Sequence, residues 1–374
     1  MKNVLFVGPY LQDDGWGNAA REYIRALQEV NCALTVRPIF MNHQKEYRKF
    51  PEFDPFEQAS EHYDVIIQNC LPNMFRKYGG VKNIGLSYFE SVDIDATPWP
   101  RAMQTMVDQM WVCSEFEAKN LAKYNIPSVK ILPIPTDLNK YKNVGEYKPF
   151  ENIKHQFKFY FIGEYATRKN LTALIIAFHR EFSISEPVQL VIKVNKTGLD
   201  QHTLLHAVNR EIHDIKTNMK LHRNAVDYKT DIIISAYLPE EDLFKLHNSC
   251  DCFVMPSYGE AFCIPAFDAM MMGKTTIVNK NSSMAGYIKD GVNGHLVDST
   301  KVPAISSDRP LSFLYTGQDC WYEINILDLQ AKMRQAFEQN SPGYANRTVT
   351  NRELGMRYTH QYVGAMMEKL IYEV

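Results

Sequence analysis

The sequence predicts an α/β protein made of two Rossmann-like halves that face each other across a cleft. Three observations predict it. Short β-branched or aromatic runs alternate with amphipathic helical patterns from the first residue; the rhythm stops once near the middle and restarts; and 374 residues suit two domains of roughly 100–200 residues better than one or three.

Asn3 to Val7 reads as a buried strand, and Asn18 to Gln28 as a helix with Ala19, Tyr23, Ile24 and Leu27 on one face. Strand-like runs follow at Ala33 to Ile39, Asp64 to Asn69, Asn83 to Phe89, Gln109 to Ser114 and Ser128 to Ile134. This βαβ rhythm implies a parallel sheet covered on both faces. Around Asp137 to His155 it yields to a polar stretch with Gly145, Pro149 and several lysines, the place of a linker. The second series runs through strands at Phe157 to Gly163, Val188 to Asn195, Asp231 to Ala236, Asp251 to Ser257 and Thr275 to Asn279. Its helices fall at Asn170 to Phe182, Asp200 to Leu221, Pro239 to Asn248 and Ile264 to Met272. Val302 to Cys320 has no clear period and reads as a surface excursion. Leu354, Tyr358, Tyr362, Met366 and Leu370 recur every four residues and predict a long terminal helix, which either closes the second domain or returns to the first. The expected domains are therefore 1–140 and 157–348, joined by a linker at 141–156, with the terminal helix at 349–374.

Composition narrows the class. Hydrophobic residues at 45% and charged residues at 22% exclude a disordered or fibrous chain. The 41 basic and 43 acidic residues give a formal net charge of −2, which argues against a surface built throughout for nucleic acid or an anionic membrane. Seven scattered cysteines resemble reduced, intracellular usage. The Cys250 and Cys252 pair has no partner pair at zinc spacing, and the eleven histidines show no ligand pattern. The N-terminal apolar run is too short for a signal peptide, and no run reaches the roughly 18 apolar residues of a membrane span. The expected location is cytoplasmic, with peripheral membrane contact left open, no metal or other cofactor and no obvious nucleic-acid partner.

In open α/β sheets, ligands bind at loops beyond the carboxyl ends of strands. The first such loop carries Gly15-Trp16-Gly17-Asn18, where glycines and a helix start suit either an anion contact or an ordinary turn. The second, Gly163 to Asn170, places Arg168 and Lys169 together at a helix start. There they oppose the helix dipole unless an anion such as a diphosphate binds; the plainer alternative is a solvated basic pair. The third runs from Pro256 to Met270: a strand ends at Ser257, a tight loop carries Glu260, and a helix begins near Ile264 or Pro265. Asp268 lies one turn into that helix among Ala266, Phe267, Ala269 and Met270, and needs a hydroxyl or cationic partner there. The fourth is Ser87 to Ser91, where Tyr88 and Glu90, with Trp16, are candidates for lining an acceptor; a strand-end acid in solvent is the alternative.

The stretch Pro256 to Gly273 resembles the signature of family 4 glycosyltransferases, retaining enzymes of GT-B fold, in which a Glu-x7-Glu pair sits in a Pro-Ser-x-x-Glu-Gly-Phe-Gly context. Arg168-Lys169-Asn170 is similar to the family's phosphate-binding region. Ile233 to Leu243, Asp290-Gly291-Val292-Asn293-Gly294, Trp111 to Phe116 and Pro133 to Asp137 match further segments in order, so the resemblance covers roughly residues 105–300. It implies a transferase that takes a sugar from a nucleotide diphosphate sugar to a glycan or other hydroxyl acceptor. Glu260, Lys169 and Arg168 would then be catalytic. Asp268 would hold the ribose, Ala261, Phe262 and Cys263 the sugar and phosphate, and Tyr237 the base. Gly15 and Gly17 join the donor-binding candidates.

Three positions depart from the pattern: Asp268 replaces the second Glu, Glu164 stands where an Arg is frequent, and Cys263 stands where Gly is usual. Asp93-Ile94-Asp95 resembles the metal-binding triplet of the other glycosyltransferase fold, which GT-B enzymes do not need. Two rival readings are a glycosyltransferase acting on nucleic-acid bases, with Lys45 to Lys49 as its basic stripe, and a non-catalytic nucleotide-sugar-binding protein.

Overall fold

The structure is a computed structural model and describes residues 1–41, 48–308, 310–339 and 351–373. The Lys45 to Lys49 stripe lies outside these residues up to position 47. The chain divides into two compact units: unit 1 is Met1–Leu138 with Leu354–Val374, and unit 2 is Asn139–Glu353.

Unit 1 runs β1 (Lys2–Gly8), α1 (Gly15–Leu27), β2 (Cys32–Pro38), β3 (Val65–Asn69), β4 (Lys82–Leu86), α2 (Trp99–Thr105), β5 (Gln109–Val112), α3 (Glu115–Leu121) and β6 (Val129–Ile131). The six strands form one parallel sheet in the order β2-β1-β3-β4-β5-β6. Its β-branched and aromatic residues, among them Val4, Phe6, Val65, Ile67, Ile84 and Trp111, are fully buried, as a sheet covered on both faces requires.

Unit 2 runs β7 (Phe157–Glu164), α4 (Leu171–Glu181), β8 (Val188–Asn195), α5 (Gln201–Met219), β9 (Ile232–Ile234), α6 (Glu240–Ser249), β10 (Cys252–Met255), α7 (Ile264–Met271), β11 (Thr275–Asn279), β12 (Gly294–Val297), β13 (Ser299–Ile305), β14 (Thr316–Ile324) and α8 (Ile326–Glu338). A second parallel sheet has the order β12-β11-β10-β7-β8-β9, and β13 pairs with β14 in a separate antiparallel hairpin. Helices α4, α5 and α8 pack together, as do α6 and α7, and right-handed crossovers put the two groups on opposite faces of the sheet.

Three sequence expectations are corrected. The 141–156 stretch is built into unit 2 instead of linking two domains. Phe150 is buried, Tyr147 N–H donates to Ser249 Oγ at 2.7 Å, and Asn248 donates to the carbonyl of Val144 at 2.9 Å. Its aromatic anchors were hidden in a polar context. Val302 to Cys320 is no surface excursion: β13 takes in its first four residues and β14 its last five, and Ala304, Leu314 and Tyr315 within it are buried, as is Trp321 just after it. A register shift between Pro303 and Ile305 spoils the alternation by which a strand is recognised. The terminal stripe is also displaced: Thr359 caps a helix over His360–Tyr372, with a separate turn at Met356–Tyr358 before it. Val363, Gly364, Met367, Leu370 and Ile371 form its buried face, whereas Tyr362 is 48% exposed. This helix packs on α1 in unit 1. A Cβ on Gly364 would lie 2.7 Å from the carbonyl oxygen of Ala26, so the two backbones meet where only glycine fits.

Candidate active site

The charged residues come together in unit 2. β7 ends at Glu164, a short 3-10 turn carries Thr167–Lys169, and Asn170 caps α4. β10 leads through Pro256 and Ser257 to Gly259 and Glu260, then to the start of α7. The two strands are neighbours in the sheet, which is why loops separated by about ninety positions meet. Lys169 Nζ lies 2.7 Å and Arg168 Nη1 3.0 Å from the same oxygen, Glu260 Oε1. Arg168 also donates to the Gly259 carbonyl at 2.6 Å, and Tyr258 N–H donates to the Arg168 carbonyl at 2.9 Å.

Glu260 is 5% exposed at its side chain. Burial pushes its carboxyl up, but Lys169 and Arg168 outweigh that and hold it below the ordinary carboxylate range. Glu260 is thus ionised at neutral pH. Two cations against one carboxylate leave this cluster net positive beside the N-terminus of α7, whose dipole also favours an anion.

Asp268 has both kinds of partner that its apolar setting demands: Tyr141 donates to Oδ1 at 2.6 Å and Lys140 Nζ lies 3.5 Å from it. Neither partner is legible beforehand, because Tyr141 and Lys140 belong to the stretch read as a linker. Cys263, the residue before α7, has φ 64°, a left-handed conformation in which glycine fits without strain. Ala261 and Phe262 are buried between Glu260 and this turn, and Tyr287 donates to the Phe262 carbonyl at 2.6 Å. Tyr237 is 68% exposed.

The remaining candidates are in unit 1. Asp14 caps α1 by accepting from Gly17 N–H at 2.9 Å, so a carboxylate of the chain already occupies that helix start. A Cβ on Gly17 would lie 2.0 Å from the Gln12 carbonyl oxygen, which gives this glycine a packing reason. Gly15 is exposed. Trp16 packs edge-on against Tyr88 with centroids 4.4 Å apart, and Tyr88 is buried beside Asn69. Glu90 is half-buried. Asp93 and Asp95 both pair with Lys123, at 2.8 and 2.9 Å, and are the acids of a salt-bridged turn.

Sequence reasoning passed over the hairpin, which ties down both loops of the cluster. Asp308 accepts from Thr167 N–H at 3.0 Å, Tyr322 N–H donates to the Tyr258 carbonyl at 2.9 Å, and Trp321 stacks on Tyr258 with centroids 4.6 Å apart. Asn279 Nδ2 bridges the carbonyls of Ser257 and Tyr322. The aromatic pair Trp321-Tyr322 was the available signal.

Two parallel sheets of this order define the GT-B glycosyltransferase fold, which the chain shares with solved structures. Along its full length it superposes on the full length of Anabaena HepE, a structure determined with UDP and glucose, at TM-score 0.64 and 13% identity. For sucrose-phosphate synthase from Thermosynechococcus elongatus the TM-score is 0.69 at 11% identity, covering 99% of this chain and 98% of the other. Residues 144–308 match the family model described as glycosyl transferases group 1, and that segment contains Arg168, Lys169, Glu260 and Asp268. Among curated relatives, the serotype-specific mannosyltransferase WbdA of Escherichia coli is 23% identical over 59% of this chain, which corresponds to 30% of WbdA. The chain thus spans under a third of the length of that relative.

Proposed function

We propose that this protein is a retaining glycosyltransferase that moves a sugar from a nucleotide diphosphate sugar to a hydroxyl acceptor of a glycan or glycoconjugate. The observation that carries the reading is the convergence of Arg168, Lys169 and Glu260 beside the α7 N-terminus, inside the segment that matches the group 1 family model. Transfer places growing negative charge on a departing diphosphate. Preorganised cations stabilise such charge without reorganising. Lys169 and Arg168 take this role, with the backbone of Ala261 to Cys263 next to them. Glu260, ionised and buried, accepts from hydroxyls of the transferred sugar and fixes its orientation. Asp268 accepts from the ribose, with Tyr141 and Lys140 holding its carboxylate in place.

In the proposed reaction, the acceptor oxygen bonds to the anomeric carbon on the face from which the phosphate leaves. The bond from that carbon to the phosphate oxygen breaks with its electron pair, and the acceptor proton passes to the departing oxygen. The anomeric configuration is retained, and no protein nucleophile or metal takes part. WbdA is named for mannosyl transfer and HepE was solved with UDP and glucose, so GDP-mannose and UDP-glucose lead the donors to test.

A thermal-shift screen of UDP, GDP and ADP sugars identifies the donor, since a ligand of the folded state raises the melting temperature. With that donor, Lys169→Ala is expected to weaken nucleotide binding and turnover together, and Glu260→Ala to reduce transfer more than nucleoside diphosphate binding. Activity like the wild type in both variants rejects the site, and an inverted product anomer by NMR rejects the mechanism.

A further inference from the structure

A cavity of about 460 Å³ lies in unit 2 between the start of α4, α5 and the β13–β14 hairpin. Its volume falls within the roughly 300–1,000 Å³ typical of small-ligand pockets. Arg168, Lys169, Glu260 and Asp268 are not among its lining residues. It lies on the side of the sheet that carries α4, α5 and α8, whereas Asp268 is on α7 on the other. Its described lining residues combine two aromatic rings, Tyr165 and Tyr258, with three carboxylates, Glu211, Asp308 and Glu323.

We propose that this cavity binds a neutral sugar residue, with its hydroxyls donating to Glu211, Asp308 and Glu323 and its carbon face against Tyr165 and Tyr258. The chemistry selects this class of ligand. Three carboxylates in the wall favour hydroxyl donors over phosphates and nucleotides. Asp308 already faces Lys196 Nζ at 3.0 Å and accepts from Thr167. Glu211 accepts from Thr172 Oγ1 at 2.7 Å, and Glu323 lies 3.4 Å from Tyr258 Oη. Each carboxylate has about four lone-pair sites, so these contacts fix the acceptors in position and leave lone pairs for further donors. A sugar supplies several hydroxyl donors and an apolar face in one small unit. Burial and the Glu211 contact also hold the Tyr165 hydroxyl protonated far into the alkaline range.

The site adjoins the charged cluster without being part of it. Thr167 and Tyr258 line the cavity, while their chain neighbours Arg168 and Gly259 take part in the Glu260 contacts. An occupant therefore touches both loops that hold the cluster.

Saturation-transfer NMR on the full chain tests this, with mannose, glucose and N-acetylglucosamine as probes and UDP or GDP present at saturation. At least one sugar is expected to receive transfer with the nucleotide bound. Glu211→Gln and Tyr165→Ala are expected to weaken that sugar about tenfold or more, and Tyr165→Phe, which keeps the ring and guards against misfolding, by much less. No transfer to any probe, an affinity unchanged in Glu211→Gln and Tyr165→Ala, or spermidine binding in place of the sugars overturns the proposal. Nucleotide binding is read in the same samples through Lys169→Ala, so a failure of the transferase reading changes that signal and not this one.

Discussion

Lys169→Met removes one of the two cations on Glu260 Oε1 while keeping the length and apolar character of the stem. In the wild type, Lys169 and Arg168 are 13% exposed at their side chains and Glu260 5%, so solvent screens the interaction weakly. Leaving a buried charge with no partner costs roughly 3–5 kcal/mol. Here Arg168 remains 3.0 Å from the same oxygen, so the expected loss at pH 7 is about half that, roughly 1.5–2.5 kcal/mol. The pH dependence has a definite sign. Glu260 titrates below its ordinary value in the folded protein. Its contribution is therefore present above the unfolded carboxylate pKa of roughly 4.3 and disappears as pH falls through the folded value. The gap between wild type and Lys169→Met should consequently close in acid, where Glu260 is neutral in both. Urea unfolding at pH 7 and in acid, with Glu260→Gln and the double variant, measures this. A pair coupling of at least about 1 kcal/mol is expected from the cycle. A loss under about 0.5 kcal/mol at pH 7, or a gap that persists in acid, refutes the electrostatic account of the cluster.

Trp321→Ala removes a buried ring stacked on Tyr258 and should cost about 3–5 kcal/mol in urea unfolding, with Trp321→Phe recovering most of it. At Cys263, φ 64° predicts that Cys263→Gly unfolds about 1 kcal/mol harder than Cys263→Ala; equal melting of the two variants contradicts the left-handed assignment. Glu117 is buried in unit 1, where it accepts from Phe89 N–H, Cys113 N–H and Ser114 Oγ, and burial pushes its carboxyl up to about 7. The folded state then holds its proton more tightly than the unfolded state. Stability should fall as pH rises from about 4.5 through about 7, and Glu117→Gln should flatten that slope in unfolding measurements across the range.

Legibility followed the physics of each element. β8 and β11 have the boundaries that the sequence predicts, because β-branched residues, Val188, Val191, Ile192 and Val194 in one and Thr275 to Val278 in the other, mark a buried strand. The Arg168-Lys169 and Glu260 loops were readable for the opposite reason: charge in an unfavourable local setting needs a partner, and here the partners are one another. Tyr141 was not readable from its surroundings, since a hydroxyl that serves a carboxylate 127 residues away leaves no local pattern. The terminal helix misled because a spacing of four drifts around a helix of 3.6 residues per turn. The buried face at Val363, Met367, Leu370 and Ile371 alternates spacings of four and three before its last adjacent pair.

The hairpin explains how a cluster with an unfavourable internal balance keeps its geometry. Arg168 and Lys169 repel each other and both start a helix, where the dipole opposes them, and Glu260 answers both through one oxygen. Three charges on loops from different strands would drift apart if only their mutual attraction held them, because every ångström of separation readmits water and weakens the pair. The backbone contacts resist that drift. Asp308 fixes Thr167, Tyr322 and Asn279 fix the chain on either side of Tyr258, and Trp321 covers the Tyr258 ring. None of these contacts touches Glu260 Oε1, so an anion arriving at Lys169 and Arg168 competes with that oxygen and with the Gly259 carbonyl, and leaves the hairpin contacts in place. Loosening the hairpin should therefore weaken nucleotide binding. Trp321→Ala that folds but binds the nucleoside diphosphate as tightly as the wild type would separate the strap from the site and undo this account.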